Sequence, residues 1–458
     1  MLLKNSRTTI NKNPRYFFDP RLPYGSFFLA SGMKEFKILL AIVLLSACSN
    51  QPAEKATRAE VVATVAEDTL ATQAKKTADG PAPEFNLKGN PAGYDSFQIN
   101  LQKGLNFKLA VISGYKINVA AEGLKRLRFL SMSPDKRLFA TDMFDLRDGR
   151  NGSIIIFSGW NEEAKRFEKQ TVFAGNLHNP NQVAFYKNHI YIAETGKLSR
   201  YVYHAGDTTL TGNPEVLATF PDYGLSYKYG GWHLTRSIAF HNDKLYVSVG
   251  SSCNACIEKE AVRAAILEMN PDGTGQRFFA RGLRNSVGIK WIGDQLWATG
   301  MGRDGIGADK PEDLFQQIER DGFYGWPYYF QYRNKVYDDP QFRDSVKAPW
   351  VKQPPVAFAV FKAHSAPLGF EYFSGFSDGL LKNSILVCLH GSTTVSRQRG
   401  NAVVKINGGN RYTEIVSGFL QGKTEAGRFG RPCDILMKDD RSFFITDDLN
   451  GVLYYVWR

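Results

Sequence analysis

The chain has 458 residues, a formal net charge of +12 at pH 7 and five cysteines. This length allows one large domain or two to three ordinary ones, and an aromatic content of 13% together with 42 glycines favours a turn-rich β protein. The basic residues are scattered, without a basic helix or an Arg-rich run, so the sequence excludes a nucleic-acid-binding footprint.

An export signal is predicted near the amino terminus. The segment that starts at Met33 has two lysines and then the apolar run ILLAIVLLSAC, which is too short to span a bilayer. Its last four residues, Leu45 to Cys48, resemble the bacterial lipobox, in which the cysteine is acylated and becomes the first mature residue. We therefore expect residues 1–32 to precede the true start and residues 33–48 to be a lipoprotein signal peptide with its lipid on Cys48. An ordinary signal peptide is the alternative.

The segment after the signal predicts a tethered protein. Ser49, which follows the cysteine, is typical of outer-membrane sorting in Gram-negative bacteria, so the protein would face the periplasm or the cell surface. Residues 49–94 are rich in Ala, Lys, Glu, Thr and Pro and have few large apolar groups, which predicts a disordered tether. The folded domain is expected over residues 95–458.

The rest of the chain repeats one pattern six times. Each copy has a short apolar strand, a polar turn and a second strand of the form apolar-aromatic-apolar-small. The copies are LSMSPDKRLFATD from Leu130, VAFYKNHIYIAET from Val183, IAFHNDKLYVSVG from Ile238, IKWIGDQLWATG from Ile289, LGFEYF from Leu368 followed by SILVCLHG, and ILMKDDRSFFITDD from Ile435. Repeats too small to bury their own faces predict an all-β, six-bladed β-propeller. A non-repeating β-sandwich, the alternative, does not predict the recurring register.

Three loop motifs stand at strand ends, where a propeller places the residues of its channel mouth. GGWHLTRSIAF, with His233 and Arg236, precedes the third copy, and GLRNSVGIKW, with Arg284 and Asn285, precedes the fourth. ATGMGRDGIGADKPEDLFQQI and then GFYGWP follow the fourth copy. Singly, each has a structural explanation: a hydrogen-bonding histidine, an Arg-Asn pair that satisfies loop carbonyls, or a solvated Gly-Asp turn. Together, a base, a cation, an amide and an oxygen-rich loop on adjacent blades indicate a site.

These segments resemble the glucose/sorbosone dehydrogenase family, soluble propellers that carry pyrroloquinoline quinone (PQQ) and calcium. The resemblance runs from about Asn106 to Arg458 and is closest to the sorbosone-type branch. Members of that branch read much like GGWHLTRSIAF, KLYVSVGSSCNAC, RAAILEMNPDGTG, GLRNSVGIKW, GRDGIG, GFYGWP, HSAPLGFEY and GRPCDIL.

The resemblance assigns the chemistry residue by residue. His233 matches the family's general base, which takes the hydroxyl proton of the substrate while hydride leaves the same carbon for the quinone. Arg284 and Asn285 match the pair that holds the quinone oxygens, where a guanidinium stabilises the charge that develops on reduction. Gly302 and Arg303 match positions whose backbone carbonyls bind calcium.

Further residues are implied less directly. Asp304 would bind calcium or support a residue that does. The remaining expected cofactor contacts are His390, Arg431, Arg428, Gln182 and Arg236. Two positions depart from the family: Thr393 stands where a tryptophan is common, and Met301 where polar residues are frequent.

The remaining cysteines have structural interpretations. Cys253 and Cys256 form a Cys-x-x-Cys pair, which in an oxidising compartment predicts a local disulfide. A redox-active or zinc site is the alternative, and zinc would need two further ligands that no other motif supplies. Cys388 and Cys433 either pair with each other or remain buried thiols.

The sequence thus predicts a quinoprotein sugar dehydrogenase, which oxidises a small-molecule sugar or a sugar-derived alcohol or aldehyde. The chain has no haem-attachment motif, so its electron acceptor would be an external partner. One alternative is a non-catalytic surface propeller that binds carbohydrate or protein. Another is a calcium-dependent lactonase. The sequence argues against it, because it shows no clear cluster of acidic and amide ligands across several blades.

Overall fold

The computed structural model describes residues 83–145, 147–222 and 233–458. Over these residues the secondary structure is β-strand, apart from two single turns of 3-10 helix. No helix among them is long and apolar enough to span a membrane. The signal peptide, most of the tether and Cys48 lie outside the described residues.

Three strands precede the repeats, and the first two blades follow them. The three strands are β1 (Tyr94–Asn100), β2 (Asn106–Ile112) and β3 (Lys116–Ala121). Blade 1 consists of β4 (Leu127–Met132), β5 (Leu138–Asp142), β6 (Gly152–Asn161) and β7 (Arg166–Leu177). Blade 2 consists of β8 (Gln182–Tyr186), β9 (His189–Ala193), β10 (Lys197–Val202) and β11 (Glu215–Thr219).

Blades 3 and 4 are connected through an insertion. Blade 3 consists of β12 (Arg236–His241), β13 (Lys244–Val249), β14 (Ala265–Met269) and β15 (Arg277–Arg281). Blade 4 begins with β16 (Ile289–Ile292), β17 (Gln295–Gly300) and β18 (Asp313–Ile318). The insertion holds β19 (Gly322–Phe323), which joins blade 3, and the hairpin of β20 (Tyr329–Tyr332) and β21 (Lys335–Asp338). Strand β22 (Ala359–Phe361) then completes blade 4.

The last two blades recruit the amino-terminal strands. Blade 5 consists of β23 (Pro367–Tyr372), β24 (Ile385–Leu389), β25 (Ala402–Ile406) and β26 (Tyr412–Ser417). It is extended by β2 and β1, which pair beyond β26. Blade 6 consists of β27 (Pro432–Asp439), β28 (Ser442–Asp447) and β29 (Val452–Trp457), with β3 as its fourth strand. Strands from the two ends of the folded chain are therefore joined in two sheets, blades 5 and 6.

The first strands of the six blades form a closed ring, because β4, β8, β12, β16, β23 and β27 each contact the next and β27 contacts β4. The six predicted repeat copies coincide with the first two strands of these blades. The prediction of a six-bladed β-propeller is therefore confirmed.

Among the described residues, the six largest apolar clusters lie one between each pair of neighbouring blades, and smaller clusters add to the core. The repeat explains them, because side chains alternate between the two faces of a strand. On β5, Phe139 packs towards blade 2, whereas Leu138 and Ala140 pack towards blade 6. The corresponding aromatic residues of later copies, such as Tyr191 and Trp297, likewise pack towards the following blade.

The described chain begins on the side of blades 4 and 5. Strand β1 starts at Tyr94, next to the expected domain boundary, but packing begins earlier. The ring of Phe85 lies edge-on to the ring of Trp297, with 5.2 Å between centroids, and Asn86 Nδ2 donates to the carbonyl oxygen of Gly379 at 2.9 Å. Gly379 lies in the loop between β23 and β24, on the face opposite the starts of the first strands.

Candidate active site

The site-forming segments lie on one face of the propeller. Within a blade the first two strands are antiparallel, so the start of the first strand and the end of the second lie at the same edge. Threonine hydroxyls at the ends of second strands donate to carbonyl oxygens at the start of the next blade: Thr141 to Asn181 at 2.7 Å and Thr446 to Arg128 at 2.6 Å. The loops of all blades at this edge therefore surround one channel mouth.

His233 precedes β12 at this mouth, and its hydrogen bonds indicate its tautomer. Its Nδ1 lies 3.0 Å from the carbonyl oxygen of Ser251 and 2.9 Å from Ser251 Oγ. The hydroxyl proton of Ser251 is donated to the carbonyl oxygen of Cys253 at 2.8 Å, so both Ser251 oxygens accept from the histidine. Nδ1 therefore carries the proton and Nε2 the lone pair. Burial and the nearby charge of Arg284 lower the pKa of His233 well below 6.5, so the ring is neutral at pH 7.

Gly250 allows His233 and Asn285 to lie side by side. A Cβ atom on Gly250 would lie 2.5 Å from His233 Cβ and 2.8 Å from Asn285 Oδ1, closer than real contacts allow. Asn285 is buried, and its Nδ2 lies 3.4 Å from the sulfur of Met301. The base, the amide and the turn after β17 are thereby brought together.

Arg284 is held in a single orientation beside them. Its Nε donates to the carbonyl oxygen of Asn254 and its Nη2 to Asn254 Oδ1, both at 2.9 Å. Burial lowers the pKa of Arg284 to about 10, so the guanidinium remains charged at pH 7. A fixed cation therefore lies near His233.

The turn at residues 302–304 is supported by buried carboxylates. The backbone N–H of Gly302 donates to Asp313 Oδ1 at 2.8 Å, and burial raises the pKa of Asp313 to about 7. Arg303 makes a bidentate ion pair with buried Asp339, at 2.6 and 2.8 Å. Asp304 is half exposed and its Oδ1 lies 3.0 Å from Nδ1 of His364. Among the described residues, no group donates to the carbonyl oxygens of Gly302 and Arg303, which leaves them available to a hard cation.

A second cluster lies across the mouth on blades 5, 6 and 1. Burial and the charge of Arg431 lower the pKa of His390 to about 3, so the neutral ring donates from Nε2 to Asp448 Oδ1 at 2.7 Å. Arg431 Nε donates to the carbonyl oxygen of His390 at 3.1 Å. Asp448 also accepts from Arg128 Nη1 at 2.6 Å, and Arg126 Nη1 lies 3.3 Å away. These contacts tie two of the expected cofactor residues, His390 and Arg431, to the centre of the ring.

The other expected cofactor contacts have mainly supporting positions. Arg428 Nη2 donates to the carbonyl oxygen of Ser392 at 2.7 Å, and Gln182 Oε1 accepts from the backbone N–H of Ile238 at 2.9 Å. Arg236 is fully buried, and its guanidinium donates to the carbonyl oxygen of His233 at 2.9 Å, so in this structure it supports the backbone of the expected base.

Two of the four described cysteines form a disulfide bond, and the other two are free thiols. Cys253 and Cys256 form a disulfide bond with their Cα atoms 6.2 Å apart. Glu258 lies close to the two sulfurs, but sulfurs joined to each other are not free to bind zinc. Cys388 and Cys433 are buried free thiols.

The family model described as TrAA12-like matches residues 109–458. The chain belongs to the TrAA12-like family. Among curated proteins, this TrAA12-like chain is similar to an uncharacterized protein of Borreliella burgdorferi, with 28% identity over 333 residues that cover 67% of this chain and 84% of the other.

Solved structures share the fold of this TrAA12-like protein at low identity. The holo form of the pyranose dehydrogenase PQQ domain from Coprinopsis cinerea is 17% identical, with a TM-score of 0.61 over 77% of this chain and 97% of that one. The calcium structure of the carbohydrate-active enzymes family AA12 protein from Trichoderma reesei is 14% identical, with a TM-score of 0.60 over 76% and 96%. The PQQ-bound aldose sugar dehydrogenase from Streptomyces coelicolor is 16% identical, with a TM-score of 0.51 over 76% and 99%.

The mouth of this TrAA12-like protein fits an anionic ligand and a hard cation. Arg126, Arg128, Arg284, Arg428 and Arg431 all lie at this edge of the ring. The buried Nε atoms of Arg126 and Arg428 have no hydrogen-bond acceptor among the described residues. Guanidinium groups with unused donors suit the carboxylates of PQQ, and the carbonyl oxygens of Gly302 and Arg303 suit calcium.

The structure also adds residues that the sequence reasoning missed. Asn254 lies inside the SSCNAC motif, in which the sequence analysis predicted a role only for the two cysteines. Arg126 precedes the first strand of blade 1 as Arg431 precedes that of blade 6, so extending the aligned copies four residues upstream would have revealed it. Asp448 had no such signal, because its partners His390 and Arg128 lie 58 and 320 residues away along the chain. Asp313 stands inside the third loop motif, but nothing in the motif shows that its carboxylate accepts from the Gly302 N–H.

Proposed function

We propose that this TrAA12-like protein is a PQQ- and calcium-dependent oxidoreductase that oxidises a sugar or a sugar-derived alcohol or aldehyde. The observation that carries the proposal is the meeting of His233, Arg284 and the turn at Gly302 and Arg303 within one cation-rich mouth. Family membership and the shared fold of the PQQ-bound and calcium-bound structures support it.

His233 would act as the general base. Its Nδ1 proton is held by Ser251, so the lone pair of Nε2 is the basic site. The lowered pKa keeps this atom unprotonated at neutral pH, ready to accept the proton of a substrate hydroxyl. Arg236 holds the His233 backbone in place through the carbonyl oxygen of that residue.

The cofactor would be held by groups on both sides of the mouth. When bound, PQQ supplies a quinone that accepts hydride from the substrate carbon. Arg284 and Asn285 would hold the quinone oxygens, and Arg431 and Arg428 would face the carboxylates. The carbonyl oxygens of Gly302 and Arg303, with Asp304 nearby, would bind calcium.

The sorbosone-type assignment, the electron acceptor and the cellular location belong to the same proposal. Electrons would pass to an external carrier. The protein would be exported and anchored through a lipid on Cys48, with the outer membrane as its site. Acylated peptides that begin at Cys48, detected by mass spectrometry of the membrane fraction, would support the anchor, and membrane attachment that survives Cys48→Ala would contradict it.

A reconstitution experiment tests the proposed activity. Purified protein is loaded with PQQ and Ca²⁺, a panel of aldoses and polyols is added, and the absorbance of the reduced quinone is followed. We expect the wild-type protein to gain this absorbance with at least one sugar, and His233→Asn to lower the rate about 10²-fold or more, because general-base catalysis is worth about that much.

His204→Asn serves as the matched control, because the side chain of His204 is 73% exposed on blade 2. It should retain the wild-type rate. A wild-type protein that binds no PQQ would overturn the proposed function in favour of a non-catalytic propeller. If His233→Asn binds PQQ and reduces it at the wild-type rate, the assignment of the base is wrong.

A further inference from the structure

Asn254 connects the proposed cation, Arg284, to the turn at residues 302–304. Its backbone carbonyl oxygen accepts from Arg284 Nε at 2.9 Å, and its Oδ1 accepts from Arg284 Nη2 at 2.9 Å. The same Oδ1 accepts from the backbone N–H of Asp304 at 2.8 Å, and Nδ2 donates to the carbonyl oxygen of Asp304 at 3.0 Å. One amide therefore binds the Arg284 guanidinium and both backbone groups of Asp304.

An amide is the side chain that suits this place. The two backbone groups of Asp304 need one acceptor and one donor, which a carboxylate cannot supply together at neutral pH. Arg284 needs an acceptor, which Oδ1 and the backbone carbonyl of Asn254 provide. Because arginine N–H groups lie in one plane, two acceptors on the same residue fix the orientation of the guanidinium.

The loop that carries Asn254 is itself fixed at both ends. Before it, Ser251 holds Nδ1 of His233 and donates to the carbonyl oxygen of Cys253. Around it, the disulfide between Cys253 and Cys256 closes a short ring of backbone. Ser252 donates from its backbone N–H and its hydroxyl to Glu258, each at 2.6 Å. The same loop thus contacts the histidine, the arginine and the turn after β17.

We propose that Asn254 is a positioning residue, which sets the Arg284 guanidinium and the turn at residues 302–304 in one mutual arrangement, and that the Cys253–Cys256 disulfide keeps it in place. The proposal rests on the proposed function, because Arg284 and the turn matter as the groups that face PQQ and calcium. Without Asn254, the guanidinium and the turn lose their shared partner, and each is free to move relative to the other.

The test compares Asn254→Ala with the wild-type protein by two independent measurements. The first is hydrogen exchange at the Asp304 amide in protein without cofactor. We expect exchange about tenfold faster in the variant, since the amide loses an acceptor and a tenfold change corresponds to about 1.4 kcal/mol, within the range of one hydrogen bond. The second is titration with PQQ and with Ca²⁺ alone, where both affinities should fall about tenfold for the same loss.

Two further variants sharpen the comparison. Asn270→Ala is the matched control, because Asn270 also bonds a neighbouring turn in blade 3, through Nδ2 to Thr274 Oγ at 2.9 Å, but lies on the opposite face. It should leave exchange at Asp304 and both affinities unchanged. Cys253→Ser combined with Cys256→Ser should reproduce the faster exchange of Asn254→Ala, because the loop is no longer closed.

The outcomes separate the two proposals. If the wild-type protein binds neither PQQ nor Ca²⁺, the proposed function fails, and the Asp304 exchange still decides whether Asn254 fixes the turn. If the wild type binds both and Asn254→Ala binds them equally tightly, Asn254 is not a positioning residue. Unchanged exchange at Asp304 in the variant would overturn the proposal even if the affinities fell.

Discussion

Asp448 is a single buried carboxylate shared by several blades. It follows β28 of blade 6, accepts from His390 of blade 5 at 2.7 Å and binds Arg128 of blade 1 at 2.6 Å. Arg128 also donates to Asn181 Oδ1 of blade 2 at 3.2 Å. Although burial opposes ionisation, His390 and Arg128 hold the pKa of Asp448 well below its usual range. At the residue scale, the centre of the ring thus depends on one negative charge among arginines.

Loss of the Asp448 charge should destabilise the folded protein. We expect Asp448→Asn to lower the free energy of unfolding by about 3–5 kcal/mol, because it leaves buried Arg128 without a counter-charge. Urea unfolding measures the change. Asp440→Asn, an exposed carboxylate of the same blade, is the control and should stay near the wild-type value. Equal stability of the two variants would show that the Asp448 ion pair contributes little.

The protonation of His233 gives a second prediction at this scale. Because the pKa of His233 is lowered well below 6.5, its base form persists as the pH falls from 7.5 to 6. In the reconstituted enzyme, kcat/KM should therefore stay constant over this range and decrease only at more acidic pH, as protonation removes the base. A rate profile with its midpoint at or above 6.5 that follows His233 would contradict the burial argument.

At the scale of elements, the small residue that ends each repeat has a defined role. Thr141, Thr299 and Thr446 occupy this position on β5, β17 and β28, and each hydroxyl donates to a carbonyl oxygen in, or directly before, the first strand of the following blade. In blades 3 and 5 the same position holds Ser248 and Cys388. In blade 2 it holds Ala193, which has no hydroxyl, so three of the six copies encode this hydrogen bond between blades.

Thr299 allows this role to be measured. Its hydroxyl accepts from the backbone N–H of Gly288 and donates to the carbonyl oxygen of Leu368, both at 2.9 Å. Thr299→Val keeps the shape but leaves these buried groups unpaired, so the free energy of unfolding should fall by about 1–3 kcal/mol. Thr219→Val, on the exposed edge strand β11, should change it by less than about 0.5 kcal/mol. If both variants lose a similar free energy of unfolding, the hydrogen bond between blades does not contribute specifically to stability.

At the scale of the whole molecule, the ring is closed by pairing between the two ends of the folded chain. Strand β3 pairs with β29, with Ile117 opposite Val456 and Asn118 opposite Tyr455. Ile117, Ala120 and Ala121 are buried in the clusters on either side of blade 6. Blade 6 would otherwise have three strands and an open edge beside blade 1.

Removal of this closing strand should destabilise the whole propeller. A chain that begins at Gly123 lacks β1, β2 and β3, and we expect it to lose about 5 kcal/mol or more, since several apolar side chains lose their burial. A chain that begins at Pro83 keeps every described strand and should melt at the full-length temperature. Thermal unfolding and size-exclusion chromatography check both. A monomeric Gly123 chain with an unchanged melting temperature would contradict this role of β3.

The sequence predicted the number of blades because six copies share one register, and it predicted the mouth segments because they stand at strand ends. It did not predict β3 as the sixth blade's outer strand, since KINVAA resembles no part of the repeat. Nor did it predict the partners of Asp448 or Asn254: Asp448 meets Arg128 only when the ring closes, and Asn254 meets Asp304 only when blades 3 and 4 pack together. Pairing across the ring is a property of the three-dimensional fold, which no local pattern contains.

The place where the described chain begins has a consequence for orientation. Phe85 and Asn86 attach to blades 4 and 5 on the side away from the mouth, near the loop that contains Gly379. An attachment through residues upstream of Pro83 would therefore hold the face of the propeller that is opposite the mouth. The mouth lies on the opposite face, so a molecule that enters it does not pass residues 83–86.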